Sequence, residues 1–420
     1  MAVPPSPIGK LRPIVSCPLL PGIESVAELA QMDGVRECMQ WLPREKLWIN
    51  EKHLELCRIA APTFFEQERA RWMAVQFEDL GYDAKIDRAG NVTAMKAVAG
   101  NEPLVALTAH LDTVLAPRSP DDITVQPDGS MRGAGVSDNG AGLAALLAIA
   151  KALNQAPQFR AARSKVVFAA NVCEEGEGNL SGMRYLCGHS PMAPRIRGFL
   201  ILDGPDPGHI TAQALASRRF EVSFTGPGGH SWSDFGIGNP VHALSRAVSL
   251  FADTQMSGKF PRASYNFGMI EGGVGVNSIP TSARAKLDIR SEYPERISEL
   301  AALLTASVER ALENENAQAT GGKVGAKIRE IGSRPGGRLA EDASLLRFLR
   351  AVDGHLSVRS RVDCASTDAN IPLSLNIPAV SIGAGGQGGG AHTPGEWFHP
   401  EGRDIGLKRI LLTLCLMLAE

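Results

Sequence analysis

Residues 105–114 read VALTAHLDTV, a run of small apolar and β-branched side chains that ends abruptly in a histidine and, two residues later, an aspartate. A half-exposed strand alternates apolar with polar. A continuous apolar run is the pattern of a strand covered on both faces, as in a parallel sheet sandwiched by helices. The same reading applies to KVVFAANV (165–172), GFLILD (198–203) and PAVSIG (378–383). Between them LAALLAIAKAL (143–153) has helical spacing, and residues 23–80 carry apolar positions three and four apart over several segments. The chain is therefore expected to be α/β, with a mostly parallel sheet and helices on both faces.

In such a sheet, ligands bind outside the carboxyl ends of the strands. His110, the pair Glu174 and Glu175, and Asp203 all lie at that end of their strands. Asp138 sits in GAGVSDNGAG (133–142), a Gly-rich turn leading into the 143–153 helix, and His392 lies in the loop after the last strand. Five residues far apart in sequence are thus expected to meet on one rim.

A second pattern interrupts the first: alternating RRFEVSFTG (218–226), helical NPVHALSRAVSLFAD, strands SYNFGMIEGG and TSARAKLDIRS, the long helical PERISELAALLTASVERALENEN, and KVGAKIREIG. This β-α-β-β-α-β order predicts an inserted ferredoxin-like α+β domain at 214–328, with residues 1–213 and 329–420 forming the larger catalytic domain. Its sheet would carry two helices on one face. The other face is expected to pair with a second subunit.

At 420 residues the chain exceeds what one core usually serves, in keeping with two domains. Its 43 basic and 45 acidic residues leave a net charge of -2 with no long run of one sign, so nucleic acid is not an expected partner. Seven scattered cysteines, free of C-x-x-C spacing, argue against both a disulfide framework and a thiolate metal site, and favour a reducing cytoplasm. The proline-broken opening MAVPPSPIGKLRPIVSCPLLPG does not read as a signal peptide, and no apolar run is long enough for a membrane span.

Catalytic zinc prefers His nitrogen and carboxylate oxygen and keeps an open position for water, whose pKa it lowers toward ~7. Two such ions bring four positive charges, against three negative ones from Asp138, Glu175 and Asp203. One bridging hydroxide would balance them. Glu174, beside Glu175, is placed to act as general base on that water, and Asp112 is placed to accept the free ring N–H of His110. Read singly, these residues are ordinary: Glu174 with Glu175 a solvated pair, Asp138 an Asx turn or helix cap, Asp203 a turn residue, His392 a loop histidine. Order and context give them weight.

AHLDTV (109–114), GAGVSDNGAG, EEGEG (174–178), LDG (202–204), GPGGHS (226–231), GGVGVNSIP (272–280), DIRS (288–291), STDAN (366–370) and AHTPGEW (391–397) together resemble the co-catalytic dizinc peptidases and deacylases. That group includes peptidase T, carnosinase, the G-type carboxypeptidases, aminoacylase and succinyl-diaminopimelate desuccinylase. The resemblance runs from about residue 46 and is nearest to peptidase T.

It implies two Zn(2+) per subunit, or Co or Mn in their place, with His110 and Asp203 on one, Glu175 and His392 on the other, and Asp138 bridging. Glu174 would be the base and later proton donor, with Asp112 orienting His110. His230 would stabilise the oxyanion, often in the partner subunit's site, and Asn277 with Arg290 would hold a substrate carboxylate. Outside the resemblance, His230 reads as a turn residue and Arg290 as a ladder charge or ion-pair partner of Asp288 or Glu292. Gly385 and its glycine neighbours are expected to line the cleft with backbone N–H groups or to form a flexible loop.

The reading is therefore hydrolysis of an amide bond in a small peptide or acylated amino acid by a homodimer joined through the insertion. Asp rather than Glu at position 203 resembles the aminopeptidase and dipeptidase side of the family. The alternative is a carboxypeptidase or N-acyl amino acid deacylase on the same scaffold.

Overall fold

The computed structural model describes residues 22–96, 100–155, 164–253 and 262–420. The expectation about the opening stretch falls at residues 1–22, all but Gly22 outside the described residues. In the larger unit, strands run in chain order β1 (Asp83–Ile86), β2 (Val92–Met95), β3 (Leu104–His110), β4 (Lys165–Asn171), β5 (Ile196–Leu202) and β6 (His209–Ala214). The insertion follows with β7 (Ala216–Thr225), β8 (Ala263–Gly272), β9 (Ser282–Ser291) and β10 (Gly325–Arg334). The chain then returns through β11 (Gly337–Arg338), β12 (Arg361–Ala365) and β13 (Ala379–Ile382).

The larger unit is a nine-stranded sheet in the order β1-β2-β4-β3-β5-β13-β6-β11, with β12 also pairing β6. Its centre is parallel: β3 lies between β4 and β5, and β13 follows β5 in the same direction. All seven residues of β3 are buried, as the unbroken apolar run requires. The flanks depart from the mostly parallel expectation. β2 runs antiparallel to β4 and β1 antiparallel to β2, while β6 runs antiparallel to β13. β1 is largely exposed and β6 is HITAQA, with too little apolar sequence to announce itself.

Helices α1 (Val26–Gln31), α2 (Asp33–Arg44), α3 (Lys46–Cys57) and α4 (Gln67–Asp79) open the chain, as the spacing over 23–80 predicts. They join α5 (Gly140–Leu153) and α6 (Ser181–Gly188) in covering the sheet. α5 is buried at every position but Lys151, because it packs on β3 while α2 and α3 cover its outer side.

In the insertion, α7 (Pro240–Ala252) and α8 (Pro294–Gln318) lie on one face of a four-stranded antiparallel sheet in the order β8-β9-β7-β10. Asn239 caps α7 by accepting from the N–H groups of Val241 and His242, with Pro240 in the first turn. Phe220, Val222 and Phe224 of β7 alternate into a core of their own with Leu287 and Ile289 of β9 and Leu300 and Leu304 of α8. The sheet does not stop at 328, since β10 continues to Arg334. The face away from the helices is charged and partly spent within the chain. Arg219 donates to Gly176 O, and Lys286 Nζ lies 2.8 Å from Glu177 Oε1. Helices α9 (Ser344–Leu356) and α10 (Arg403–Ala419) complete the larger unit.

Candidate metal centre

His110 is the last residue of β3, Asp203 is one residue past β5, and Glu174 and Glu175 follow β4 at the same end. Asp138 precedes α5, and His392 projects from a loop with a left-handed φ of 65°. The five converge as expected. One oxygen of Asp138 faces each imidazole: Oδ1 is 3.0 Å from His110 Nε2 and Oδ2 is 3.0 Å from His392 Nε2. Glu175 Oε1 lies 2.8 Å from His392 Nε2, and Asp203 Oδ1 lies 4.0 Å from His110 Nε2. Donor atoms of His110, Asp138 and Asp203 fall within 4.8 Å of one another, and so do those of Asp138, Glu175 and His392. These are two three-residue N/O donor sets sharing one carboxylate.

The backbone around these groups is tied down by buried carboxylates. Asp112 Oδ1 and Oδ2 each accept at 2.9 Å, from the N–H of Glu174 and of Glu175 respectively. Its carbonyl oxygen, at 2.9 Å, is closer to His110 Nδ1 than its carboxylate, at 3.5 Å. Asp112 therefore orients the ring mainly through its backbone, while its side chain supports the 174–175 loop. Glu396 was not foreseen as a functional residue, although it lies four residues past His392. It accepts from the N–H groups of Gly135, Ser137 and Asp138, each at 2.8 Å, and so fixes the bridging turn. Asn139, joined to Asp138 by a cis peptide bond, donates to Leu202 O at 2.8 Å and accepts from Gly142 N–H, linking the turn to the exit of β5.

The electrostatics fit a cation. Burial, reinforced by the charge of Glu174, pushes Glu175 up to about 8, and burial with the charge of Asp138 pushes Asp203 up to about 7. Burial raises Glu174 as well, against the opposing charge of Arg334. For Asp138, hydrogen bonds from His110 and His392 outweigh burial and hold it well below the usual carboxylate range. The hydrogen bond to Asp138 lifts His392 to about 9. His110 is raised too, because its contacts with Asp112 and Asp138 overcome burial. The polypeptide alone thus balances crowded carboxylates with protons on imidazoles, a balance that divalent cations would take over.

The centre opens into a cleft of about 320 Å³ whose walls include Val114, Arg219, Arg290, Arg334 and Ser366. Arg290 faces it as expected, with Nε 2.6 Å from Asp288 Oδ2, so the ion pair and the cleft position coexist. Arg334, buried at the end of β10, donates to Glu174 Oε1 at 3.0 Å, to Glu174 O and to Ser366 Oγ. Neither Arg219 nor Arg334 belongs to a pattern that sequence alone marks. Three expected residues are not among the described residues lining the cleft. His230 and Asn277 are exposed at a small two-stranded ribbon in which Gly229–His230 pairs with Ser278–Ile279. The Gly385 N–H is bonded to Pro205 O at 2.8 Å, and a Cβ there would meet Arg403 O at 2.6 Å. Gly385 is thus a close-packing position against α10, and a contribution of its N–H to the cleft is ruled out.

Comparison with known proteins shows the family. A family model described as "Peptidase family M20/M25/M40" matches residues 106–414. Uncharacterized protein YqjE of Bacillus subtilis strain 168 is 23% identical over 350 residues, 80% of this chain and 89% of YqjE. The fold is similar to that of a tripeptidase from Staphylococcus aureus subsp. aureus Mu50, with TM-score 0.71 and 19% identity over 89% of this chain and 98% of that one. It is also similar to aminopeptidase PepT from Bacillus cereus ATCC 10987, with TM-score 0.68 and 18% identity over 89% and 99% of the two chains. With the family model spanning both the dinuclear donor set and the insertion, the chain belongs to peptidase family M20/M25/M40 and is a hydrolase of amide bonds.

Proposed function

We propose that the enzyme cleaves short peptides from the amino end, as an aminopeptidase of dipeptidase or tripeptidase type. The observation that carries this reading is the meeting of five N/O ligands, the extra carboxylate of Glu174 and the guanidinium of Arg290 in one cleft. At about 320 Å³ it is near the lower end of the ~300–1,000 Å³ typical of small-molecule sites, which favours short substrates.

His110 and Asp203 would hold one ion, Glu175 and His392 the other, and Asp138 both; the set suits zinc, with cobalt or manganese as substitutes. Bound there, the ions would supply Lewis acidity and a water of lowered pKa. Glu174 takes a proton from the attacking water on its carboxylate and returns it to the leaving amine. Arg290 anchors the substrate's terminal carboxylate together with Asn277, and His230 stabilises the oxyanion.

Those last two residues act across a homodimer. Their two-stranded ribbon is flanked by Trp232, Phe235, Val274 and Val276, which are 87%, 87%, 87% and 106% exposed, an apolar patch that a second copy would cover. A cytoplasmic location is supported by six free cysteines among the described residues, five of them buried, where no helix is long and apolar enough to cross a membrane.

The test is a comparison of free tripeptides with N-blocked peptides on the metal-loaded enzyme. Turnover of free-amine substrates is expected. Turnover of blocked substrates alone would replace this reading by the carboxypeptidase or N-acyl amino acid deacylase one.

A further inference from the structure

A turn bonded to the segments that carry the cleft has no part in the chemistry above. Residues 61–66 turn alongside the segment leaving β3: the Thr113 N–H donates to Ala61 O at 3.0 Å, and Pro62 pairs with Thr113. The Phe65 N–H closes the turn on Pro62 O at 2.8 Å. Thr63 Oγ1 donates to Asp112 Oδ2 at 3.0 Å. The buried Glu66 then accepts at 3.1 Å from both the Phe64 N–H and the Cys173 N–H, one residue before Glu174. The turn is therefore bonded to the same backbone that carries the candidate base.

What it displays is apolar. Phe64 holds a left-handed φ of 76°, a conformation that a bulky side chain rarely adopts and that persists only where the surroundings enforce it. The residue is nonetheless 52% exposed, and Phe65 is 68% exposed. One and two residues beyond the Pro62–Thr113 pairing stand Val114 and Leu115, 43% and 37% exposed, and Val114 lines the cleft with Asp138 and Asp203. The insertion contributes Arg219 and Arg290 to the same cleft. The larger unit thus brings Val114 to the cleft, with exposed Leu115, Phe64 and Phe65 on the adjoining segments, and the insertion brings cationic groups.

We propose that Phe64, Phe65, Val114 and Leu115 form a specificity wall that takes up an aliphatic or aromatic side chain on the substrate's amino-terminal residue, while Arg290 takes its carboxylate end. This inference rests on the peptide-hydrolase reading and names the substrate class within it. Partial burial of three or more extra carbons against such a wall corresponds to about a 10-fold preference over alanine.

The experiment measures kcat/KM for the tripeptides X-Gly-Gly with X as Ala, Leu, Phe and Lys. Leu and Phe are expected to exceed Ala and Lys by about 10-fold. In Phe65→Ala, and in Phe64→Gly, which removes the ring without adding strain at positive φ, the ratio is expected to fall to about 2-fold. A parallel thermal-shift measurement on the metal-loaded protein is expected to show protection by free phenylalanine and none by alanine at the same concentration. Equal turnover of all four peptides overturns the wall and leaves the hydrolase reading standing. Phenylalanine-selective protection without hydrolysis of any amide keeps the wall and sinks the hydrolase reading. A change in oligomeric mass of either variant, with selectivity intact, assigns the rings to a subunit contact and overturns the proposal.

Discussion

Arg334 and Glu174 are 160 residues apart in sequence and 3.0 Å apart in space, both buried. Burial raises the proton affinity of Glu174 and the guanidinium opposes it, so removing the cation raises it further. In Arg334→Met the acid limb of the kcat profile is therefore expected to move to higher pH, and kcat at neutral pH to fall on the order of 10²-fold, with Lys restoring part of it. Steady-state kinetics across pH checks this; a rise in KM with kcat untouched would instead make Arg334 a substrate contact. His110, Glu174 and Asp203 were legible because each follows an apolar strand in sequence. Arg334 was not, because nothing local marks an arginine whose partner arrives from a distant loop. Gly385 misled for a related reason: a Gly-rich run signals close approach of backbone, and only packing showed that the approach is to Gly406 on α10 rather than to a ligand.

Helices α9 and α10 are locked by a buried ion pair, Arg409 Nε to Asp353 Oδ1 at 2.6 Å and Arg409 Nη2 to Asp353 Oδ2 at 2.9 Å. Arg409 is 0% exposed, so removing the carboxylate strands a charge in the core. Asp353→Ala is expected to cost about 3–5 kcal/mol, read from denaturant unfolding, whereas replacing both partners by apolar residues of similar volume would cost far less. Elements announced by a full apolar run, such as β3, β4 and β5, were legible in the sequence, as was α5. The insertion's six main elements were legible too, since period-2 and period-3.6 patterns alternate cleanly there. β1, β2 and β6 escaped because short flank strands owe their pairing to the neighbours they meet. The contacts of Arg219 and Lys286 with the 176–177 loop also escaped: sequence showed a sheet face without helices, but not that part of it would grip the loop carrying Glu174 and Glu175.

At the scale of the molecule, the centre couples metal, protons and stability. Glu175, about 8 in the folded chain, and His392, about 9, both sit above their ordinary values. Such groups stabilise the fold below their unfolded pKa values, and this contribution is lost as pH rises through the folded ones. Metal-free protein is therefore expected to lose thermal stability from about pH 5 to 9, while the gain in Tm on adding zinc grows over the same range as protons leave the ligands. Melting curves with and without chelator check this, and a metal increment independent of pH would refute it. The homodimer reading predicts complementation. Mixing inactive His230→Ala and Glu174→Ala subunits should restore about one quarter of wild-type activity, since about half the dimers are mixed and each carries one intact site. No recovery from mixed dimers of confirmed mass would place His230 in the site of its own subunit and overturn the reading that it acts across the dimer.

The sequence by itself determined the α/β class, the insertion's order of elements and the five candidate ligands, because these follow from local periodicity, from the residues that end the apolar runs and from the Gly-rich turn and loop that hold Asp138 and His392. Tertiary structure alone decided the hold of Glu396 and Arg334 on the centre and the exclusion of Gly385 from the cleft. Those depend on which distant backbones come within hydrogen-bonding reach, a matter of packing between elements that no local pattern encodes.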